Sequence, residues 1–176
     1  MPDSKPGLLS EEERLAVLRD LRILDTAPDQ RLDKLTALAA NVFQCPIALV
    51  TLIDEHRQWF KSRQGIEGSE TPREYAFCAT TIQRPVPLIV LDATQDERFQ
   101  ANPYVTGEPG VRFYAGAPVI VDNAALGAVC VVDRQPHERV TDGEMDILRQ
   151  LAALVAERIV AMKPQGNNNE GGPAGA

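Results

Sequence analysis

Apolar residues that recur every three or four positions predict a helix near each end of the chain. The first helix follows a capping box, in which Ser10 is followed three residues later by Glu13. A second helix is predicted over "RLDKLTALAANVF", residues 31–43. The last helix starts at another capping box, Thr141 with Glu144, and continues through "MDILRQLAALVAERIVAM". Helices therefore flank the central part of the chain.

Runs of apolar and β-branched residues predict strands in that central part. "IALVTLID" is apolar or β-branched on both faces, which is typical of a central strand in a sheet. "QWFKSRQ" alternates and is predicted to be a half-exposed edge strand. "PLIVLD" predicts a short strand, and Asp122 and Asn123 separate "VRFYAGAPVIV" from "ALGAVCVVD" as in a hairpin. "PREYAFCATTIQ" predicts a short helix, and residues 93–110 predict a long polar loop.

This order of elements predicts one domain of the α+β class, with an antiparallel sheet and helices at both chain ends. Residues 1–9 are predicted to be a flexible leader and residues 10–162 the folded domain. Residues 163–176, which are low in complexity, are predicted to be a disordered tail.

The net charge and the spacing of the cysteines limit which binding partners and which cellular compartment are expected. The net charge is −7, with both signs interspersed and no basic cluster, so nucleic-acid binding is not expected. The chain has neither an apolar secretory h-region nor a run near the ~18 apolar residues of a membrane span. Three widely spaced cysteines do not suggest a disulfide framework, so the expected location is the cytoplasm, away from membranes.

Several blocks over residues 11–162 resemble a GAF domain, a small sensory module related to PAS domains. They include "LDTAPDQRLDKLTALAANVFQCPIALVTLIDEHRQWFKSRQG", "TPREYAFCATTI", "LIVLDATQDERFQANPYVTGEP" and "VRFYAGAPVIVDNAALGAVCVVDRQPHERVTDGEMDILRQLA". The resemblance implies a GAF/PAS-like antiparallel sheet of about six strands, with the N- and C-terminal helices on one face. It also implies a ligand cavity on the other face, under the short helix and the long loop. GAF domains bind cyclic nucleotides, linear tetrapyrroles, haem, small anions or metabolites, and some only dimerise, so the fold leaves the function open.

Covalent and metal-dependent cofactors are not expected. GAF domains that attach a bilin use a cysteine with a histidine beside it or a few residues away. Cys78 is followed by alanine and two threonines, and His56 and His137 lie in other segments. Zinc and haem need convergent ligands, and the chain has no CxxC or HxxxH pair. Bilin, haem and zinc are therefore all disfavoured as cofactors.

Catalysis is the third hypothesis. Some free-standing GAF proteins reduce methionine sulfoxide with grouped cysteines, but the motifs around Cys45, Cys78 and Cys130 do not resemble theirs. Cys130 lies in a strand pattern and is interpreted as a small buried hydrophobe. Cys78 is expected to be the one thiol near the cavity. No catalytic constellation is found, so the chain is predicted not to be an enzyme, with a cysteine-dependent redox enzyme as the third candidate.

The resemblance implies that three segments surround the cavity: the short helix, the loop "DATQDERF" and the strand "RFYAGAPV". The candidate ligand-binding residues are Trp59, Tyr75, Phe77, Cys78, Asp92, Arg98, Phe99, Arg112 and Tyr114. Arg98 or Arg112 could hold an anionic group through a planar, bidentate contact. The alternative is that the aromatic residues are core and that Asp92 pairs with Arg98 to hold the loop.

The last helix is a candidate dimer interface. Six residues have heptad-like spacing, namely Met145, Leu148, Ala152, Val155, Ile159 and Met162. A second stripe, Ile147, Leu151 and Leu154, lies at an angle to them. One stripe would dock on the sheet and the other would meet a partner, most simply a second copy; the alternative is one wide core-facing side.

The sequence therefore predicts a sensory protein that binds an unidentified small molecule non-covalently and is a homodimer. Signalling would be of the two-component or cyclic di-GMP type, in trans to a sensor kinase or diguanylate cyclase. The chain could instead buffer its ligand or be part of a longer protein. The rival function is a ligand-free dimerisation or interaction module.

Overall fold

A computed structural model describes residues 7–166 of the chain. Within these residues, five helices and six strands follow one another as α1 Glu11–Asp20, α2 Gln30–Phe43, β1 Ile47–Ile53, β2 Arg57–Gln64, β3 Glu70–Pro72, α3 Phe77–Thr81, β4 Leu88–Val90, α4 Pro103–Thr106, β5 Phe113–Val121, β6 Ala124–Asp133 and α5 Asp142–Met162. Short 3₁₀ turns occupy Arg73–Tyr75 and Ala93–Gln95. The predicted α+β class is confirmed.

The six strands form one antiparallel sheet in the order β3-β2-β1-β6-β5-β4. β1 is central and buried along its whole length, as its uninterrupted apolar run predicts. β5 and β6 form the predicted hairpin. Its turn residues Asp122 and Asn123 both have positive φ, 49° and 64°, as a two-residue turn matching the strand twist requires.

Two apolar layers cover the two faces of the sheet. On one face α1, α2 and α5 pack against residues such as Val50 and Val129. On the other face α3 and the segment before β5 pack against residues such as Leu49 and Cys130. Successive residues of β1 and β6 therefore belong to opposite layers, as the two-residue period of a strand dictates. Among residues 7–166, no helix combines the length and the apolar character that crossing a bilayer demands.

The structure corrects two details of the predicted sheet. β2 is not an edge strand, because the short strand β3, which the sequence pattern missed, pairs with its outer side. Lys61, whose charge suggested exposure, is only 5% exposed, and its ammonium group donates to the Thr26 hydroxyl and the Ala27 carbonyl. The predicted long loop also contains the second 3₁₀ turn and α4.

The predicted leader and tail lie partly outside the described residues, which exclude 1–6 and 167–176. The Leu9 amide, at the end of the predicted leader, donates a hydrogen bond of 2.9 Å to the Asn123 carbonyl. Lys163, at the start of the predicted tail, pairs with Asp20 of α1. Both segments thus contact the domain at its boundary.

The predicted dimer stripe on α5 is wrong for most of its members. Leu148, Ala152, Val155 and Ile159 are at most 3% exposed because they pack on the sheet within one protomer, and Met162 packs at the edge of the same core. Met145 is half-buried at the start of the helix. Of the second stripe, Leu154 is 47% exposed. Any partner of α5 would therefore meet the outer side that carries Leu154, and the homodimer stays a prediction.

We expect Asp29→Asn to flatten the acid sensitivity of the domain. Asp29 caps α2 and pairs with Arg158 of α5, with Nη2 2.6 Å from Oδ2. The hydrogen bond from Arg158 lowers the pKa of Asp29 from 3.8 to about 2. A carboxylate with a lowered folded-state pKa stabilises above pH ~4 and loses that stabilisation as the pH falls toward ~2. The pair is partly exposed, so solvent screening reduces its contribution to stability.

Urea denaturation at several pH values between 2 and 7 measures this dependence. Asparagine still caps a helix, so the variant isolates the loss of charge. Arg158→Gln should flatten the profile to the same extent, and the double variant should add little to either single variant. An unchanged wild-type slope in both single variants would rule out this ion pair as the source.

Candidate functional site

A small apolar cavity lies on the face of the sheet opposite the terminal helices. Its volume is about 90 Å³, and no charged residue of the described part of the chain lines it. That volume is room for about three water molecules and is less than the ~150 Å³ in which benzene fits. The lining residues are Ile47, Leu49, Gln58, Phe60, Ile66, Thr71, Tyr75, Ala76, Phe77, Cys78, Tyr104, Pro109, Val111, Tyr114, Cys130 and Val132.

The floor of the cavity consists of the sheet, and its lid is the segment that includes α3. Alternate residues of β2, Gln58 and Phe60, face the cavity, since side chains two apart share one face of a strand. Phe77 of α3 stacks on Phe99 at 4.1 Å between ring centroids, which supports the lid from behind. Tyr75 packs edge-on against Tyr104 at 6.0 Å, and the Asn102 amide donates to the Tyr75 carbonyl.

Two thiols, a phenol and a hydroxyl form a buried cluster in the wall. Cys78 Sγ lies 3.1 Å from Tyr114 Oη and 3.7 Å from Cys130 Sγ. Thr81 Oγ1 lies 2.7 Å from Tyr114 Oη, one helical turn from Cys78. Burial, followed by the neighbouring thiols, raises the pKa of Tyr114, so the phenol stays protonated. The hydrogen bond with Cys78, together with burial, raises the pKa of the Cys130 thiol.

Gln58 places an unpaired polar atom at this apolar site. The residue lines the cavity and is 7% exposed. Its Nε2 donates to Thr71 Oγ1 at 3.1 Å, but within residues 7–166 its Oε1 has no hydrogen-bond partner. A buried acceptor left without a donor costs about 1–3 kcal/mol. The site therefore has one unused hydrogen-bond acceptor in an apolar surrounding.

Comparison with known proteins identifies the family. The profile described as GAF domain matches residues 27–159 of this chain. The chain belongs to the GAF domain family. It is 40% identical over 154 residues to a cyclic di-GMP phosphodiesterase of Pseudomonas aeruginosa. That alignment takes in 87% of this chain but only 26% of the relative, so the chain spans about a quarter of its length.

Solved structures show the same fold. The GAF domain of an Acinetobacter phosphoenolpyruvate-protein phosphotransferase is 20% identical, with a TM-score of 0.66 over 92% of this chain and 100% of that one. The corresponding GAF domain from Coxiella burnetii is 17% identical, with a TM-score of 0.63 over 85% of this chain and 94% of that one. Identities this low establish the fold alone.

Four of the nine candidate ligand-binding residues line the GAF cavity, namely Tyr75, Phe77, Cys78 and Tyr114. Phe99 stacks on Phe77 behind the wall and does not line the cavity. Trp59 was wrongly assigned to the wall. It belongs to the core layer under the terminal helices, because it alternates with Gln58 and Phe60 along β2.

The prediction that Arg98 or Arg112 holds an anionic ligand is also corrected, since neither arginine lines the cavity. Arg98 forms an ion pair with Asp96 at 2.7 Å, and not with Asp92. Asp92 instead caps the 3₁₀ turn that follows it, where it accepts from the Thr94 amide at 3.0 Å. Arg112 Nη1 donates to the Val105 and Val111 carbonyls at 2.8 and 3.1 Å, so it braces the segment before β5.

Cys130 and Gln58 are among the wall residues that were missed from sequence. The sequence predicts Cys78 as the one thiol near the cavity, but Cys130 also lines it, with its Sγ 3.7 Å from Cys78 Sγ. The two are 52 residues apart, so no local spacing signals the pair. The available signal was the two-residue period of β2, which places Gln58 on the same face as Phe60 and on the opposite face from Trp59.

The structure also brings together Cys45, Asp133 and His137, whose ligand atoms lie within 4.8 Å of one another. The sequence spacing did not predict this group. His137 Nε2 hydrogen-bonds Asp133 Oδ2 at 2.8 Å, and its ring stacks on Phe113. Burial raises the pKa of the Cys45 thiol to about 12, and the thiol donates to the Phe43 carbonyl. Each group is thus engaged with protein partners.

Proposed function

We propose that this GAF domain is a non-enzymatic sensory module that binds a small, mostly apolar molecule non-covalently in the cavity above the sheet. The ligand carries a hydrogen-bond donor that pairs with Gln58 Oε1. Binding controls a signalling enzyme of cyclic di-GMP metabolism, either on the same polypeptide or in trans. The domain itself supplies no catalytic group to that enzyme.

The unpaired oxygen of Gln58 carries this proposal. An apolar cavity with a few placed polar groups is the usual form of a small-molecule site. A ligand that donates to Gln58 removes the cost of the unpaired acceptor, about 1–3 kcal/mol. The site therefore favours ligands that have such a donor over ligands that lack one. Because charged residues are absent from the wall within residues 7–166, the ligand is uncharged where it is enclosed.

The volume limits the size of the ligand. About 90 Å³ admits only a few non-hydrogen atoms while the lid is closed. A cyclic dinucleotide is many times larger, so it does not fit this cavity while the lid is closed. Cyclic di-GMP therefore enters the proposal through the output enzyme, as the kinship with a phosphodiesterase suggests.

The sheet offers a short path from the cavity to the terminal helices. Cys130 and Val132 of β6 line the cavity, and Val129 and Val131 of the same strand pack under the helices. Leu148 of α5 belongs to that same layer. A ligand that shifts β6 on one face therefore moves the packing surface of α5 on the other.

A ligand-free interaction module is the second candidate, and the small cavity favours it. Ligand sites usually measure ~300–1,000 Å³, and this one is well below that range. In this alternative the wall aromatics are core, and the outer side of α5 binds a partner such as a second copy.

Gln58→Leu tests the two candidates against each other. We expect the wild-type chain, purified without denaturation, to carry one small molecule in native mass spectrometry. Removal of one hydrogen bond of about 1 kcal/mol lowers retention of that molecule about fivefold in Gln58→Leu. Leucine is close in volume and apolar, so the fold is retained and circular dichroism should be unchanged.

Gln64→Leu is the matched control, because Gln64 lies on the same strand with its side chain exposed. It should retain the ligand as the wild type does. Empty protein in all three samples would favour the ligand-free module. Equal retention in all three would show that Gln58 does not contact the ligand.

A further inference from the structure

Two thiols from different layers of the domain meet in the cavity wall. Cys78 is in the lid helix α3, and Cys130 is in the central strand β6. Their Sγ atoms are 3.7 Å apart, and each residue is 1% exposed. A disulfide needs the sulfurs to approach to about 2.05 Å, a movement that side-chain rotation and a small shift of a five-residue helix can supply.

The neighbours of Cys78 favour its thiolate. Burial opposes ionisation, but hydrogen bonds with the Cys130 thiol, the Thr51 hydroxyl and the Tyr114 phenol outweigh burial and lower the pKa of Cys78. The Thr81 hydroxyl, 2.7 Å from Tyr114 Oη, can donate to that oxygen and leave the phenol proton for Cys78. A thiolate held by hydrogen-bond donors next to a second thiol is the arrangement that reacts with peroxides and is then resolved.

The cavity gives a small oxidant access to both sulfurs. Cys78 and Cys130 both line it, and its volume of about 90 Å³ exceeds what a peroxide of two oxygen atoms needs. Ile66, Tyr75 and Tyr104 line the same cavity and are half-buried, so it reaches the surface between them.

We propose that Cys78 and Cys130 are a peroxide-reactive dithiol that forms a reversible disulfide between the lid helix and the central strand. The Cys78 thiolate attacks one oxygen of a hydroperoxide ROOH, the O–O bond breaks, and ROH leaves after taking up a proton. Cys78 is then a sulfenic acid. The Cys130 sulfur attacks it, the S–O bond breaks, and water leaves. In sum, two thiols and ROOH give one disulfide, ROH and H₂O.

The disulfide would couple the oxidation state to the sensory site. It ties α3 to β6, so the lid could no longer move away from the sheet floor. It also takes away the thiol that contacts Tyr114 Oη at 3.1 Å, which alters the polar part of the wall. The inference requires no ligand in the cavity, and it is independent of the proposed sensory role.

Thiol counting after peroxide treatment tests the inference. Excess hydrogen peroxide is added to the folded chain, removed with catalase, and the thiols are counted under denaturing conditions. We expect the count to fall from three to one in the wild type, since all three cysteines start free. Dithiothreitol should restore three, and peptide mapping should find Cys78 linked to Cys130 with a loss of two hydrogen atoms.

Cys45→Ser is the matched control, because Cys45 is buried outside the cavity. Its count should fall from two to none. Cys78→Ala should form no intramolecular disulfide. If that variant folds poorly, peptide mapping of the oxidised wild type still tests the link between Cys78 and Cys130. An unchanged count, oxidation of single cysteines to sulfinic acid, or a link that includes Cys45 would each overturn the proposal.

Discussion

Leu148→Ala is expected to lower the free energy of unfolding by about 3 kcal/mol. Leu148 is fully buried between α5 and the sheet. Its truncation removes apolar contacts and leaves a cavity in a layer that cannot fully collapse. Urea denaturation followed by circular dichroism measures the change.

Leu154→Ala is the matched control on the same helix. Leu154 is 47% exposed, so its truncation should change stability by no more than about 0.5 kcal/mol. Comparison of the two variants shows which side of α5 packs in the protomer core and which side is free to form an interface. If Leu148→Ala spared the stability and instead dissociated a dimer, the assignment of this stripe to the protomer core would fail.

Gly116→Ala is expected to destabilise the domain by about 2–3 kcal/mol. Gly116 and Tyr114 are two residues apart on β5, and the tyrosine ring lies across the glycine. A Cβ at position 116 would lie 2.6 Å from Tyr114 Cζ and still closer to Oη. The ring is 1% exposed and held by Cys78 and Thr81, so it can move away only toward the cavity that it lines.

The substitution should therefore shift Tyr114 into the cavity as well as weaken the fold. Tyrosine fluorescence and urea denaturation follow the two effects. Gly143→Ala in the first turn of α5 is the control, since the nearest atom to its added Cβ is 3.9 Å away. It should be neutral or slightly stabilising, because alanine favours helix. Equal stability in both variants would contradict the packing of Tyr114 over Gly116.

The elements that could be predicted are those set by local signals. The capping boxes at Ser10 and Thr141 begin α1 and α5, as the sequence indicates. Asp122 and Asn123 tolerate positive φ, so the turn between β5 and β6 was recognisable. The uninterrupted apolar run of β1 indicated that this strand is central in the sheet.

Features that depend on contacts distant in sequence could not be predicted. β3 is three residues long and has no pattern of its own, so the outer neighbour of β2 was missed. Lys61 is buried by partners at positions 26 and 27, more than 30 residues away. Cys78, Tyr114 and Cys130 come from three separate elements and meet only after the sheet has formed.

Residue type alone also misassigned the charged side chains. Arg98 and Arg112 were candidate anion ligands because guanidinium groups bind anions in planar geometry. In the folded chain Arg98 pairs with Asp96 and Arg112 binds backbone carbonyls. The sequence shows which groups could bind a ligand, but only the fold shows which are already occupied. By the same reasoning the unpaired Gln58 oxygen became visible only in the structure.

The most direct test of the central claim is a crystal structure of the chain purified without denaturation, at a resolution that separates water from organic ligands. The proposed function predicts density for one small organic molecule in the cavity, with a donor about 2.7–3.2 Å from Gln58 Oε1. Density for water alone, or a cavity closed by its own side chains, would contradict it.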